Sequence, residues 1–470
     1  MVGAALAAAC TVAACSGSSG DAPSGATPTA PASAAGAPSP VGTASASGAD
    51  WPEYNGNPAR AGVAVGGPAA GALAVAWNAR LDGAVYGQPL VVGKEVFAAT
   101  ENDSVYALDR STGNVLWRTH LGTPVPQQDQ NGCGDIFPLG ITGTPIYDAG
   151  NGRLYAVAEV TGYHHELVAL NATTGAVRLR RDLDNPTAAN QPAYNQQRPA
   201  LTIDEGRVYA AFGGLSGDCG AYQGSVVSAP LTGNGPLAFW RTPTSREGAI
   251  WAPGGPVVGP DGNLWISIGN GAATSGSYDG SDSVTELSPA LQRLAYFAPS
   301  TWAEDNANDL DLGSTQPVLA ADNTVFIMGK RGVGYLLNAA HLGGIGGQLA
   351  DQGICQAFGT AAVNGSVVYE PCRSGGGMAA IDVSAVTKTI KVLWRGPTGA
   401  QGSPVIGGGA VWVTDYSGSD GILYELNPDT GAVKHQITIG QGLPHFSSLS
   451  LSGGTAYVGT LSGVTAVNGA

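Results

Sequence analysis

The stretch Val105-Tyr-Ala-Leu-Asp-Arg-Ser-Thr-Gly-Asn-Val-Leu-Trp117 constrains the fold more than any other part of the chain. Val105, Tyr106 and Leu108 are strand formers. Asp109 to Gly113 supplies a tight turn in which Gly113 is free to take a positive φ. Val115 to Trp117 resumes a strand that ends in a large aromatic. Weaker copies stand at Val168-Ala-Leu-Asn-Ala-Thr-Thr-Gly-Ala-Val177 and Leu423-Tyr-Glu-Leu-Asn-Pro-Asp-Thr-Gly-Ala-Val433. Repetition of this kind has to be resolved before any single element is assigned.

A larger unit contains the turn. It opens on a small residue, often proline, and runs through paired strands to the turn and a last strand. The openings are Pro89, Pro145, Pro199, Pro256, Pro317, Ala361, Pro404 and Ser448, separated by 43 (Ala361 to Pro404) to 61 (Pro256 to Pro317) residues. Alternation is clear in Ala410-Val-Trp-Val-Thr414 and Ala456-Tyr-Val-Gly459. No segment has helical periodicity beyond a turn or two. A four-stranded unit of this length, repeated eight times, predicts an all-β chain folded as an eight-bladed β-propeller of antiparallel blades. The last unit supplies only three strands (448–451, 455–459, 464–467). The missing fourth is expected from Leu73-Ala-Val-Ala-Trp-Asn-Ala-Arg-Leu81, so that N- and C-terminal strands share one blade and close the ring.

Composition narrows the function. The 470 residues carry a net charge of −14, with 12% charged residues and 72 glycines. That balance argues against nucleic acid or an anionic lipid surface as the partner. Residues 2–14 are small and apolar and end in Val12-Ala-Ala-Cys15, which resembles a bacterial lipobox. No Lys or Arg precedes Arg60, so the usual positive start is missing. The segment before Cys15 is too short to cross a bilayer. We therefore expect a lipoprotein signal peptide over 1–15, lipidation of Cys15, a disordered Ala/Ser/Gly/Pro linker over 16–49 and the propeller over 50–470. The chain would be exported and anchored to the outer face of the cell membrane by lipid alone, as a monomer.

The motif Ala107-Leu-Asp-x-x-Thr-Gly-x-x-x-Trp117 resembles the tryptophan-docking repeat of the pyrroloquinoline-quinone-like propellers, and Trp77, Trp240 and Trp394 stand at comparable strand ends. The resemblance spans roughly residues 50–470. It implies that each indole packs between neighbouring blades with its N–H bonded there. The family includes quinone-dependent alcohol dehydrogenases and non-catalytic envelope lipoproteins such as the propeller of outer-membrane protein assembly, so fold does not decide function. The enzymes carry a vicinal Cys–Cys ring, a stacking Trp, a Glu/Asn/Asp calcium set and a catalytic Asp. No Cys–Cys pair occurs in this sequence and no Asp stands out as the base, which argues against a quinone cofactor.

In a propeller, loops between second and third strands share a rim with loops that pass to the next blade. The long segments fall in those classes: 119–142, 184–198, 243–255 and 299–314 between blades, and 159–166, 212–225 and 269–283 within them. Long loops on a rigid scaffold carry function. Beyond Cys10 and Cys15 four cysteines remain, all on that rim. Three pairings are open, and placement favours Cys133–Cys219 and Cys355–Cys372.

The acidic run Trp302-Ala-Glu-Asp-Asn-Ala-Asn-Asp-Leu-Asp311 offers Glu304, Asp305, Asp309 and Asp311 as candidate ligands for Ca2+, although its spacing is not that of an EF-hand. His164, His165 and His445 are candidate ligand contacts. Adjacent strand histidines point opposite ways, so at most one of His164 and His165 is expected to face the centre. Lys330 and Arg331 suit a carboxylate or sugar acid, with pairing to Asp309 and Asp311 as the default. Trp251 and Trp302 suit stacking on sugar rings or burial beneath loops. No hydrolase, metalloprotease, nucleotide-loop or kinase signature is present. The sequence thus points to a binding or scaffold protein for a protein partner, an envelope glycan or a small ligand. A quinone- or calcium-dependent enzyme acting on alcohols or polysaccharide is the alternative.

Overall fold

The computed structural model describes residues 50–65, 71–374 and 376–469. The expected signal peptide, Cys15 and linker lie outside the described residues. The chain is an eight-bladed β-propeller of antiparallel four-stranded blades, of which blades three and four each carry a short fifth strand. Blade one is Leu90–Val92, Glu95–Thr100, Ser104–Asp109 and Val115–His120. The eighth pairs Leu73–Arg80 with Gly463–Gly469, which continues to Thr455–Thr460 and Leu449–Ser452. The two ends of the chain close the ring as the three-stranded last repeat requires.

Residue type explains the grading of each blade from axis to rim. Inner strands are short. Second and third strands are mainly apolar and mostly buried, as in Glu-Val-Phe-Ala-Ala-Thr100 after its first residue. Sheets covered on both faces lose the apolar–polar alternation. Outer strands regain it: Val115–His120, Val177–Asp182 and Val433–Thr438 alternate exposed and half-buried positions. The apolar cores lie between sheets. Leu90, Phe97 and Val105 of blade one interlock with Leu154, Val168 and Leu170 of blade two, and Tyr155, Val157 and Leu167 on the other face meet Val208, Ala210 and Phe212 of blade three.

The repeat motif makes the outer clasp between these layers. The Trp77 indole donates to Arg110 O at 3.1 Å, Trp117 to Ala172 O at 2.8 Å and Trp394 to Pro428 O at 2.8 Å. Each ring lies on the turn glycine of the next blade. A Cβ on Gly113 would meet Trp77 at 2.6 Å, and one on Gly175 would meet Trp117 at 2.5 Å. Both glycines have positive φ (73° and 68°), so the turn and the close approach demand the same residue. Trp240 packs on the core between blades three and four.

Residues 50–64 form a second closure that the repeat pattern does not announce. They run across the short-turn end of the axial channel. Trp51 pairs with Val91, Pro52 O accepts from Tyr147 N, Pro58 O from Val258 N, and Ala61 O from Val363 N; Gly62 and Ala64 bond Ile406. Arg60, wholly buried, reaches Leu201 O and Thr202 Oγ1 at 2.7 Å each and pairs with Glu53 at 2.8 Å. Gln88 ties this segment to blade eight, accepting from the Trp51 indole and donating to Ser448 Oγ at 2.6 Å. Inner strands of blades one, two, four, six and seven are thus crosslinked by the backbone of one stretch, and that of blade three by its Arg60 side chain.

Two stability outcomes follow. Gly175→Ala should cost about 2–4 kcal/mol in urea unfolding, from a left-handed backbone carrying a Cβ and from collision with Trp117. Arg60→Ala should cost about 3–5 kcal/mol, because it leaves Glu53 buried without its counter-ion.

Candidate functional site

The residues just ahead of each innermost strand reach the long-loop rim at the axis. Trp251 precedes blade four, Phe358 blade six and Phe446 blade eight. These blades are not neighbours, so their side chains touch only by meeting across the centre. The Trp251 ring centroid lies 5.9 Å from Phe446 and 6.4 Å from Phe358, and Phe358 and Phe446 stack 6.0 Å apart with planes 5° from parallel. Tyr416 of blade seven stands edge-on to Phe446 at 6.4 Å. His445 stands edge-on between Phe446 (4.8 Å) and Tyr86 (5.2 Å). All are half-buried, giving an aromatic platform with faces and edges open to the rim.

Three cations stand over it: Lys330 5.5 Å from the Trp251 ring, Arg198 5.6 Å from Phe446 and Arg373 5.1 Å from Phe358. Their partners differ. Lys330 bonds Asp309 at 2.6 Å and Asp311 at 2.7 Å. Burial opposes its charge, but the two carboxylates outweigh burial and hold its pKa above the ordinary lysine value. Arg198 meets Asp135 at 3.3 Å and donates from Nη1 to His445 Nε2 at 2.9 Å. Burial, then Arg198, pushes His445 down to about 4, so its ring is neutral and accepts. Arg373 is exposed and has no ion pair among the described residues.

The sequence candidates separate into those at the axis and those held elsewhere. Trp251, Lys330 and His445 are at the platform. Trp302 begins a short helix, Trp302–Ala307, where a loop is expected, and is buried edge-on against Tyr278 at 5.2 Å. Arg331 turns to that helix, binding Glu304 at 2.9 Å and the buried Asp305. Asp311 is itself buried and accepts from Asn270 N at 2.5 Å. Glu304, Asp305, Asp309 and Asp311 therefore split between two cations and share no common centre. His165 is wholly buried, 2.8 Å from Asp184 and 3.3 Å from Glu159, while His164 is exposed at the rim.

Phe358, Phe446, Arg198, Arg373, Tyr86 and Tyr416 escape the sequence reading because each stands alone in an unremarkable loop. Three of them share a signal, which is position. Phe358, Phe446 and Arg198 fall one to three residues before the openings Ala361, Ser448 and Pro199.

Both disulfides are formed on this rim. Cys133–Cys219, with Cα atoms 6.2 Å apart, joins the loop entering blade two to a loop of blade three. Cys355–Cys372, at 5.7 Å, ties the approach to blade six to a loop of the same blade. Neither joins adjacent residues. With Lys330 occupying Asp309 and Asp311, the vicinal ring and calcium set implied by the quinone-enzyme resemblance are not assembled around Trp251, and the residues at this platform do not fit that group.

Comparison with known proteins agrees with the repeat. Residues 69–267 match a family model described as outer membrane protein assembly factor BamB, which bears out the pyrroloquinoline-quinone-like repeat read from Ala107 to Trp117. The chain is 24% identical over 236 residues to a polyvinylalcohol dehydrogenase of Pseudomonas sp. That match takes in 46% of this chain and 34% of the other, so the chain spans about a third of the curated relative. Among solved structures, quinohemoprotein alcohol dehydrogenase from Comamonas testosteroni is similar with a TM-score of 0.68 at 15% identity, covering 90% of this chain and 81% of that one. BamB from Moraxella catarrhalis gives 0.57 at 15% identity, covering 84% and 99%. At such identities both likenesses concern the fold.

The rim between blades one and two holds buried acids that make stability depend on pH. Burial pushes Glu101 up to about 8, although Gly140 N and Thr142 Oγ1 bond it, and pushes Asp103 up to about 9, with Glu101 and Glu159 adding repulsion. Burial alone would lower His165, but Glu159 and Asp184 outweigh it and push it up to about 10. All three groups bind protons more tightly folded than unfolded. Their contribution is complete below the unfolded values and is lost as pH rises through the folded ones. Stability should fall as pH rises from about 5 to 10, by at most about 1.4 kcal/mol per pH unit for each whole proton. Glu101→Gln should flatten the part below pH 8, measured as the urea midpoint against pH; an unchanged slope would remove Glu101 from this account.

Proposed function

We propose that this chain is an exported, lipid-anchored binding propeller whose axial platform takes a ring-bearing anionic ligand, with an acidic sugar of an envelope glycan as the best-matched class. One observation carries the reading. Trp251, Phe358 and Phe446, from blades that are not neighbours, form a half-buried floor beside an exposed guanidinium, Arg373, that has no counter-ion among the described residues. Flat apolar faces take a sugar or aromatic ring, and an unpaired arginine takes a carboxylate through paired N–H donors. Likeness to an outer membrane protein assembly factor supports a recognition role in the envelope. The lipobox-like Val12-Ala-Ala-Cys15 and the uncharged linker support export and tethering. The net charge of −14 speaks against nucleic acid, and it makes the exposed Arg373 at the axis a local exception.

An alcohol-oxidising enzyme is the second reading. It is supported by the similarity to polyvinylalcohol dehydrogenase and by the fold shared with quinohemoprotein alcohol dehydrogenase.

Calorimetric titration of the purified protein with trigalacturonate and with a neutral trisaccharide tests the first. Trigalacturonate should bind, the neutral sugar should bind more weakly, and Arg373→Ala and Trp251→Ala should each weaken binding by about tenfold or more with the thermal midpoint retained. Failure of acidic sugars to bind, or indifference to both substitutions, rejects the proposal. Turnover of an alcohol in a dye-linked assay after loading with pyrroloquinoline quinone and Ca2+ would establish the second reading in its place.

A further inference from the structure

We infer that His164, Asp182 and Asp184 form a site for a first-row divalent cation, with Zn2+ the best-matched ion, on the long-loop rim of blade two. His164 opens the third strand of that blade, His164–Asn171, and Asp182 closes the fourth, Val177–Asp182. Pairing of Glu166 with Asp182, continued by the Leu183 N–H bonded to His165 O, brings the start of one strand beside the end of the other. His164 Nδ1 stands 3.7 Å from Asp182 Oδ2 and 3.8 Å from Asp184 Oδ2. Among the described residues this is the one group of three such side chains whose ligand atoms all lie within 4.8 Å of one another.

The spacing is the first argument. At 3.7 and 3.8 Å the imidazole bonds neither carboxylate, since a hydrogen bond needs about 2.7–3.2 Å. All three donor atoms lie within 4.8 Å of one another. A tetrahedral ion with bonds of about 2.1 Å holds its ligands about 3.4 Å apart, close to the two separations from His164. By contrast the adjacent His165 closes on the same Asp184 at 2.8 Å, as a hydrogen-bonded pair does.

Orientation is the second argument. Asp184 is 9% exposed and held by His165 through both oxygens: Oδ1 meets the imidazole at 2.8 Å, and Oδ2, 3.8 Å from His164, accepts the His165 N–H at 3.3 Å. Asp182 is fixed through Oδ1, which accepts the Asp184 N–H at 2.8 Å, and this leaves Oδ2 toward His164. Outer partners that hold ligand carboxylates in this way are characteristic of built metal sites.

Donor chemistry agrees: two carboxylate oxygens, from Asp182 and Asp184, stand with one imidazole nitrogen. An imidazole nitrogen among the donors selects against Ca2+ and Mg2+, which prefer oxygen, and suits Zn2+. Three protein ligands leave a fourth position to water or to an incoming group. His164 and Asp182 are 57% and 58% exposed, so that position faces the rim. A bound ion would tie the His164 hairpin to the start of loop 184–198, whose far end carries Arg198 at the aromatic platform.

The test is calorimetry of the chelator-stripped protein with ZnCl2 near neutral pH, alongside Co2+ loading read by visible absorption. One equivalent should bind, Co2+ should give a tetrahedral spectrum, and excess Ca2+ should not compete. His164→Ala and Asp182→Asn should each weaken binding by about tenfold or more, whereas His341→Ala, at an exposed histidine just after the blade-five strand Val333–Asn338, should not. Metal-free thermal midpoints of the variants should match the parent, since both side chains are exposed. The inference is overturned if no stoichiometric binding occurs, or if His164→Ala binds Zn2+ as well as the parent.

Discussion

Apolar cores that lie between sheets make every blade depend on both of its neighbours. A blade such as Leu90–His120 buries Phe97 and Val105 only because blade two supplies Leu154 and Val168 opposite them. Eight such dependences are satisfied together only when the ring closes. The pairing of Leu73–Arg80 with Gly463–Gly469 is therefore a condition for burial elsewhere as well as a local sheet contact. The indole clasps act at larger radius. Trp77 reaches from the closing blade onto Gly113, so the same kind of tryptophan–glycine contact that joins blades one and two also joins blade eight to blade one.

The rim inherits its precision from this closure. Trp251, Phe358 and Phe446 are far apart in sequence and sit on blades that do not touch, yet their rings meet within 6.4 Å. An arrangement made across the axis holds only while the ring's radius holds. The electrostatics are partitioned as well. Lys330 and Arg198 are neutralised by carboxylates near them, and Arg373 is left as the exposed charge. On a chain of net charge −14 that placement sets one uncompensated guanidinium beside the aromatic rings.

The fold was legible because its signal is periodic. A turn that needs glycine, a tryptophan at fixed offset and eight small openings give the blade count and even the shared last blade. The rim was legible as loops, but its contents were not. Trp251 and Trp302 look alike in sequence, two tryptophans in long inter-blade loops. One lies at the axis; the other begins a helix and is buried beneath it, since Asp305 and Arg331 anchor that helix away from the centre. The acidic run suggested a shared ion because four carboxylates fall within eight residues, but the next blade's Lys330 and Arg331 divide them. Convergence across a ring leaves no trace in local spacing. It shows only as position relative to the openings, as with Phe446 just before Ser448.

Residues 50–64 give the ring a property that its symmetry does not. Trp51, Tyr54, Asn55 and Arg60 are buried across the short-turn end, with backbone bonded to five inner strands and the Arg60 side chain to a sixth. What is geometrically a tunnel is therefore a socket with a floor. A molecule that settles on the platform arrives and departs through one mouth, nothing passes through, and two ligands cannot occupy the axis from opposite sides. Competition at that single entrance, rather than transit, is the behaviour this architecture imposes.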